Sequence, residues 1–280
     1  MEFEKNRSVQ VNGSAYHFCS IDTFKKIIET NSIIATDVTM MNDDEELQYA
    51  KEFILEYLNN KHKVTGNEEY TKIAKEYKRQ LEESSPHIAC FSNKLNDIAW
   101  ERYGDKGNGV SIRFNSSKFG IGAAPFTLED IFFCKVYYGK DDICNNLIDT
   151  VFFIKDKEIE KIENTARRLV NITCIFKRAD TIYKWEDEEE RRIVYIPRKL
   201  DIGNINYIQK DGNKKSYYSI KFKDFDYKEI IDDIILGPNN RDIKKIRDIL
   251  NTSKFKYSPI ISYKKAKELE KVRYDIRGYR

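Results

Sequence analysis

The residues best suited to do chemistry lie between Trp185 and Arg192, in the stretch WEDEEERR. Glu188, Glu190 and Arg192 are spaced two apart and lead into a β-branched and aromatic segment that predicts a strand. Successive side chains of a strand point to opposite faces, so we expect these three to project from one side. Two carboxylates beside a guanidinium could bind ligand hydroxyls or stabilise a developing positive charge. The alternative is a charge ladder that faces water and keeps the strand soluble.

The rest of the chain alternates short apolar runs with helical periodicity. Strands are predicted at 15–19, 33–34, 87–92, 110–114, 132–138, 217–222, 230–236 and 259–263, besides the Glu188 strand. Helices are predicted at 24–28, 47–57, 67–83, 100–103, 141–175 and 242–250. There is no internal repeat. We therefore predict one elaborated α+β domain over residues 1–280, with helices packed on a mixed or mainly antiparallel sheet.

Composition excludes several classes of protein. The 280 residues are 40% hydrophobic and 34% charged, which is typical of a globular chain rather than a disordered one. No apolar run approaches the roughly 20 residues of a membrane helix, and the amino terminus lacks a signal sequence, so we expect a cytoplasmic protein with no membrane partner. The five cysteines are odd in number and widely separated, and the three histidines lack metal spacing. We expect reduced thiols and no zinc site.

The positive charge is concentrated at the carboxy terminus. Residues 254–280 contain nine Lys and Arg against three acidic residues, so this segment carries +6 and the rest of the chain −3. A basic segment of this kind can neutralise the phosphates of a nucleic acid. The alternative interpretation is a solvated helix.

Several motifs occur together in a fixed order. They are YHF at 16–18, Asn42-Asp43-x-x-Glu46, IACFS at 88–92, Trp100-x-x-Tyr103 followed by Gly109 and Phe114, FK at 176–177 followed by W-x-x-E-x-E-x-R, and IILG at 234–237. In this order the chain resembles the bacterial family known as domain of unknown function 2971, over roughly residues 15–275. It departs from the usual N-D-P-x-E turn, because Asp44 stands where proline is common.

A more distant resemblance concerns activity. The opening strand with a histidine, the helix I-D-T-F-K-K-I-I-E, the central strand with Ser92 and the late strand with E-x-E are similar in arrangement to the histidine-led ADP-ribosyltransferases. The resemblance implies an ADP-ribosyltransferase-like core with helical insertions, NAD as the substrate, and a nucleic-acid or protein acceptor. It also implies a toxin or phage-defence effector that an inhibitory partner protein would restrain.

The same resemblance implies catalytic roles for the two glutamates of the E-x-E motif. Breaking the nicotinamide glycosidic bond builds positive charge on the ribose, as in glycoside hydrolysis. Glu190 would stabilise this cation and bind a ribose hydroxyl. Glu188 would orient or deprotonate the acceptor.

Five further residues would bind the dinucleotide. By the resemblance, His17 would hydrogen-bond a ribose hydroxyl or the nicotinamide amide, while Ser92 and Tyr103 would position the dinucleotide. Arg192 or the loop around Asn42 would contact the pyrophosphate, since a guanidinium suits bidentate phosphate binding. Each has a structural alternative as a core histidine, a cap or a packing aromatic.

Two other functions remain open at this point. In a nuclease, Glu188 and Glu190 with Asp43 or Glu46 would hold a divalent metal, and Lys177 would steady the scissile phosphate. In a non-enzymatic module, the aromatic surface would bind a nucleotide or a protein partner and the acidic residues would be structural.

Overall fold

The computed structural model describes residues 13–38, 45–119, 121, 125–139, 142–179, 185–197, 204–210, 213–222 and 230–277. The strands within these ranges are β1 (Ser14–Cys19), β2 (Ser32–Asp37), β3 (His87–Ser92), β4 (Val110–Asn115), β5 (Ile131–Lys135), β6 (Tyr137–Tyr138), β7 (Phe176–Lys177), β8 (Glu190–Tyr195), β9 (Ile205–Lys210), β10 (Asn213–Lys221), β11 (Ile231–Leu236) and β12 (Ile260–Ile261). The α-helices are α1 (Ile21–Thr30), α2 (Glu46–Thr65), α3 (Glu69–Glu83), α4 (Asp97–Arg102), α5 (Asp142–Phe153), α6 (Lys161–Thr173), α7 (Ile243–Asn251) and α8 (Tyr263–Arg277).

Ten of these strands form one sheet. Its main order is β12-β11-β4-β1-β3-β2-β10-β9, and β8 joins β3 while β5 joins β8. The pairs in it are antiparallel except for β11 and β12, and β6 and β7 form a separate parallel pair. The predicted α+β class with a mixed, mainly antiparallel sheet is therefore confirmed.

Strand β3 is the centre of this sheet. Its sequence HIACFS is a continuous apolar run, typical of a strand buried on both faces, and five of its six residues are buried. One edge of β3 pairs along its whole length with β8. The other edge is shared, because β2 pairs at its start through Thr36 and Ile88, whereas β1 pairs at its end through Tyr16 and Ser92.

Helices cover the sheet on both faces. Neighbouring residues of one strand enter different hydrophobic clusters: Phe133 packs with α1 and α7, whereas Phe132 packs with α2, α3, α5 and α6. Ile193 and Val194 of β8 divide in the same way. This alternation is the period of two that a strand imposes on its side chains.

Some predicted elements have different bounds. The predicted helix over 141–175 is two helices, α5 and α6, separated by the polar stretch 154–160. The predicted strand over 132–138 is interrupted at Val136, whose N–H bonds to the Glu190 carbonyl while Tyr137 turns to pair with Phe176. Strand β9 was not predicted, since its residues are mostly exposed and show no buried face. None of the described helices is both long and apolar enough to cross a membrane.

Candidate functional site

The turn before β8 departs from the predicted strand. Residues Trp185–Glu188 form a 3₁₀ turn, Glu189 has a left-handed backbone with φ of 44°, and β8 begins only at Glu190. The prediction that Glu188 and Glu190 are successive members of one strand face is therefore wrong for Glu188. A left-handed non-glycine residue is strained and persists only where its surroundings fix it.

The end of β3 and the loop that follows β3 hold this turn in place. Ser92 Oγ donates a hydrogen bond of 2.8 Å to the Glu188 carbonyl, and Asn96 Nδ2 donates one of 2.9 Å to Ser92 Oγ. The Asn93 N–H bonds to the Glu189 carbonyl at 2.9 Å. Ser92, which was predicted to position a dinucleotide, therefore positions the backbone that carries Glu188.

Glu190 is held by two cations inside the protein. Its carboxylate accepts hydrogen bonds from Arg192 Nε at 2.7 Å and Arg192 Nη2 at 3.1 Å, and Lys177 Nζ lies 3.1 Å from its Oε2. All three side chains are buried, Arg192 completely so. Burial alone would raise the pKa of Glu190. The positive charges of Arg192 and Lys177 outweigh this effect and lower the pKa to about 2. Glu190 is therefore an ionised carboxylate at neutral pH.

Lys177 also joins Glu190 to Glu188, because its Nζ lies 3.6 Å from Glu188 Oε2. The other oxygen of Glu188 accepts hydrogen bonds from Arg102 Nη1 at 2.6 Å and Tyr103 Oη at 3.1 Å. We call the five side chains of Arg102, Lys177, Glu188, Glu190 and Arg192 the charge cluster. In it, three basic side chains surround two acidic ones.

Neutral groups complete the surroundings of the cluster. Burial raises the pKa of Cys90, and the nearby Glu190 carboxylate raises it further, so Cys90 is a thiol that hydrogen-bonds Glu190. Burial and neighbouring carboxylates likewise raise the pKa of Tyr103 and of Tyr138. These hydroxyls therefore stay protonated and can donate to a ligand oxygen.

The cluster approaches the surface at one end only among the described residues. Tyr103 is 38% exposed and the Arg102 side chain is 29% exposed. Arg192 has no exposed surface, so its position does not support the predicted pyrophosphate contact. A ligand that displaced Arg102 or Tyr103 would reach Glu188 first, with Glu190 behind Lys177.

His17 lies on the opposite face of the sheet. Tyr16 of β1 pairs with Ser92, and Ser92 pairs with Glu190, so these three side chains share one face and His17 takes the other. Its ring packs 5.6 Å from Phe91, and its Nδ1 bonds to the Cys90 carbonyl at 3.1 Å, between the points where β1 and β2 pair with β3. Burial lowers the pKa of His17. The structure therefore does not bring His17 together with Glu190.

The remaining predicted residues are placed as follows. Asn42 and Asp43 lie outside the described residues, and Glu46 is the first residue of α2. The described residues contain no group of three His, Cys, Asp or Glu side chains that could hold a metal ion. The alternative of a solvated charge ladder is contradicted, because Glu188, Glu190 and Arg192 are all buried.

Two members of the cluster were not predicted as partners of the glutamates. Arg102 follows Trp100 in the short helix α4, and it is 86 residues from Glu188 in the sequence. The nuclease alternative places Lys177 beside a phosphate and not beside the glutamates, although Lys177 belongs to the FK motif. The positions of Arg102 and Lys177 in the sequence give no indication that both contact Glu188.

Residues 99–193 match a family model. The family is described as Protein of unknown function (DUF2971), and the matched stretch is about a third of the chain. The match supports the predicted resemblance to this family. It includes all five members of the charge cluster, and His17 lies outside it. The comparisons with curated proteins and with solved structures found no match.

Proposed function

We propose that the protein is an NAD-cleaving enzyme of the ADP-ribosyltransferase type, with Glu188 as the carboxylate that meets the substrate. The observation that supports this proposal is the position of Glu188, whose charge is held by Lys177 directly beneath Arg102 and Tyr103. A carboxylate fixed in a site of low dielectric is suited to stabilise a cation as it forms.

The proposed reaction breaks the bond between C1′ of the nicotinamide ribose and the nicotinamide nitrogen. Nicotinamide leaves with the bonding electron pair, and positive charge develops on the ribose beside the Glu188 carboxylate. An oxygen of the acceptor then bonds to C1′, and its proton passes to Glu188 and from there to solvent. If the acceptor is water, the products are ADP-ribose, nicotinamide and a proton. The intended acceptor is a nucleic acid or a protein.

The geometry revises the roles that the resemblance implies. In this proposal Arg102 leaves Glu188 when NAD binds and pairs with the pyrophosphate, for which a guanidinium is suited. Tyr103 donates its hydroxyl to a ribose oxygen. Glu190 becomes a positioning residue, since it fixes Lys177 and therefore the charge on Glu188. His17 makes no contact with NAD, because it lies on the other face of the sheet.

A second candidate is a non-enzymatic nucleotide- or partner-binding module. The observation that favours it is that every ionised side chain of the charge cluster pairs with another member of the cluster. A structural network that ties β8 to β7 and α4 would show the same pairing. The role as a toxin or phage-defence effector, and an inhibitory partner, belong to the enzymatic proposal and rest on the resemblance alone.

The test measures the release of nicotinamide from NAD by chromatography. The protein is incubated with labelled NAD alone and with RNA, DNA or cell lysate, and transfer of the label identifies the acceptor. Glu188→Gln should lower the rate by about a hundredfold or more, because a preorganised charge next to the reacting centre is lost. Glu189→Gln is the matched control, because this neighbouring carboxylate pairs with Lys94 outside the cluster and its loss should leave the rate unchanged. Absence of release in every mixture would favour the non-enzymatic module.

A further inference from the structure

Lysines are exposed on both sides of the edge strand β12. Lys254 and Lys256 precede it, in the turn that follows α7, and Lys264, Lys265 and Lys271 follow it on α8. We call residues 254–271 the basic strip. Strand β12 is the last strand at one end of the ten-stranded sheet, so the strip lies at this edge of the sheet.

An exposed aromatic ring lies at the start of this strip. Tyr257 is 84% exposed, whereas Phe255, two residues earlier, is buried in the core beside α7. Arg247 Nη1 donates hydrogen bonds to the carbonyls of Lys256 at 3.0 Å and Ser258 at 3.4 Å. The buried Phe255 and these two bonds hold the backbone on both sides of Tyr257. The ring is therefore displayed to solvent by an ordered turn.

The acidic residues of the strip do little to offset its charge. Residues 254–271 contain six lysines and two glutamates, which gives a net charge of +4. One of the two, Glu270, points inward and accepts a hydrogen bond from the Leu95 N–H at 2.9 Å. Lys267 also contacts the body of the protein, with its Nζ 2.6 Å from the Leu95 carbonyl. The outward surface thus contains five exposed lysines against Glu268.

We propose that the basic strip binds single-stranded nucleic acid. The lysines would neutralise successive phosphates, and the Tyr257 ring would stack on an unpaired base. A run of positive charge with an exposed aromatic is the arrangement that single strands bind without sequence preference. A duplex offers the phosphates but no free base face for Tyr257. The inference does not depend on NAD cleavage.

The experiment is fluorescence anisotropy with labelled 12-nucleotide single strands of DNA and of RNA, and with a duplex of the same length. The single strands should bind more tightly than the duplex, and the logarithm of affinity should fall linearly with the logarithm of salt concentration. Tyr257→Ala should weaken binding of single strands by about tenfold, while Tyr257→Phe keeps the ring and the affinity. The DNA and RNA arms identify the sugar that the strip prefers.

Charge variants separate phosphate binding from general attraction. Lys256→Gln and Lys264→Gln should each reduce the slope of the salt dependence by about 0.7 per phosphate contact. Lys72→Gln, on the exposed face of α3, is the matched control and should leave the slope unchanged. The inference is overturned if no oligonucleotide binds at low salt, if the duplex binds more tightly, or if anionic lipid vesicles bind and oligonucleotides do not. It is also overturned if Tyr257→Ala and Lys72→Gln behave alike.

Discussion

Replacement of Glu190 by glutamine measures how much the ion pairs of the charge cluster contribute to the free energy of unfolding. Glu190→Gln keeps the size of the side chain but removes the carboxylate that faces Arg192 and Lys177. Three donor contacts at 2.7, 3.1 and 3.1 Å converge on its two oxygens. The single oxygen of glutamine can accept hydrogen bonds from Arg192 or from Lys177, whereas its NH₂ group, a donor, then points at the donor of the other residue.

The expected cost follows from burial. The Glu190 and Lys177 side chains are 5% exposed and Arg192 is not exposed, so water cannot replace the lost carboxylate beside the two cations. Removal of one partner from a buried ion pair costs about 3–5 kcal/mol. Glu189→Gln removes a carboxylate whose pair with Lys94 is more than a third exposed on both sides, for which about 0–1 kcal/mol is expected.

Urea denaturation followed by tryptophan fluorescence and circular dichroism measures this difference. With a dependence of about 3 kcal/mol per molar urea, the midpoint for Glu190→Gln should fall by about 1–1.7 M. The double variant Glu190→Gln/Lys177→Met should recover part of this loss, because it removes one of the two cations that face the lost carboxylate. If Glu190→Gln is no less stable than Glu189→Gln, the charge cluster is not a tightly paired network.

Three further predictions follow from the same structure. The pKa of Glu190 is lowered to about 2 in the folded state, so Glu190 should stabilise the fold fully above its unfolded pKa of about 4.5. This contribution should be lost as pH falls from about 4.5 towards 2. The free energy of unfolding of the wild type should therefore fall more steeply with pH in this window than that of Glu190→Gln. The pKa of His17 is lowered by burial, so the unfolded state takes up this proton first and stability should fall as pH drops below about 6.5; nitrogen NMR of the ring should find a neutral imidazole with the proton on Nδ1, facing Cys90, and an imidazolium at pH 6.5 would contradict this placement. Gly109→Ala should cost about 3 kcal/mol in thermal or urea unfolding, because the added Cβ would overlap the Cys19 carbonyl oxygen, and an unchanged stability would refute this close approach.

The periodicity of the sequence predicts the elements that bury a regular face. The continuous run His87–Ser92 identifies β3 as an interior strand, and Ile73, Tyr77 and Leu81 place one face of α3 in the core. Strand β9 lacks such a face, since it lies at the edge of the sheet with Tyr207 and its neighbours exposed. A strand whose side chains are not sorted by burial leaves no period of two to detect.

The candidate site depends on features that no local pattern carries. The left-handed backbone of Glu189 moves Glu188 out of the strand, and a glutamate gives no sign of this conformation. Arg102 comes from a segment 86 residues away, so its contact with Glu188 depends on tertiary packing. The face of His17 depends on the register of β1 against β3, which a single sequence does not fix.

The proposed function requires that Glu188, beneath Arg102 and Tyr103, contacts NAD. Isothermal titration of the protein with NAD tests this most directly, with wild type, Glu188→Gln and Glu189→Gln measured side by side. We expect saturable binding of one NAD per chain to wild type and to Glu189→Gln, and weakening by about tenfold or more in Glu188→Gln, since a charged hydrogen bond contributes about 1.5–3 kcal/mol. Absence of binding to the wild type, or equal affinity in all three proteins, would contradict a contact between Glu188 and NAD.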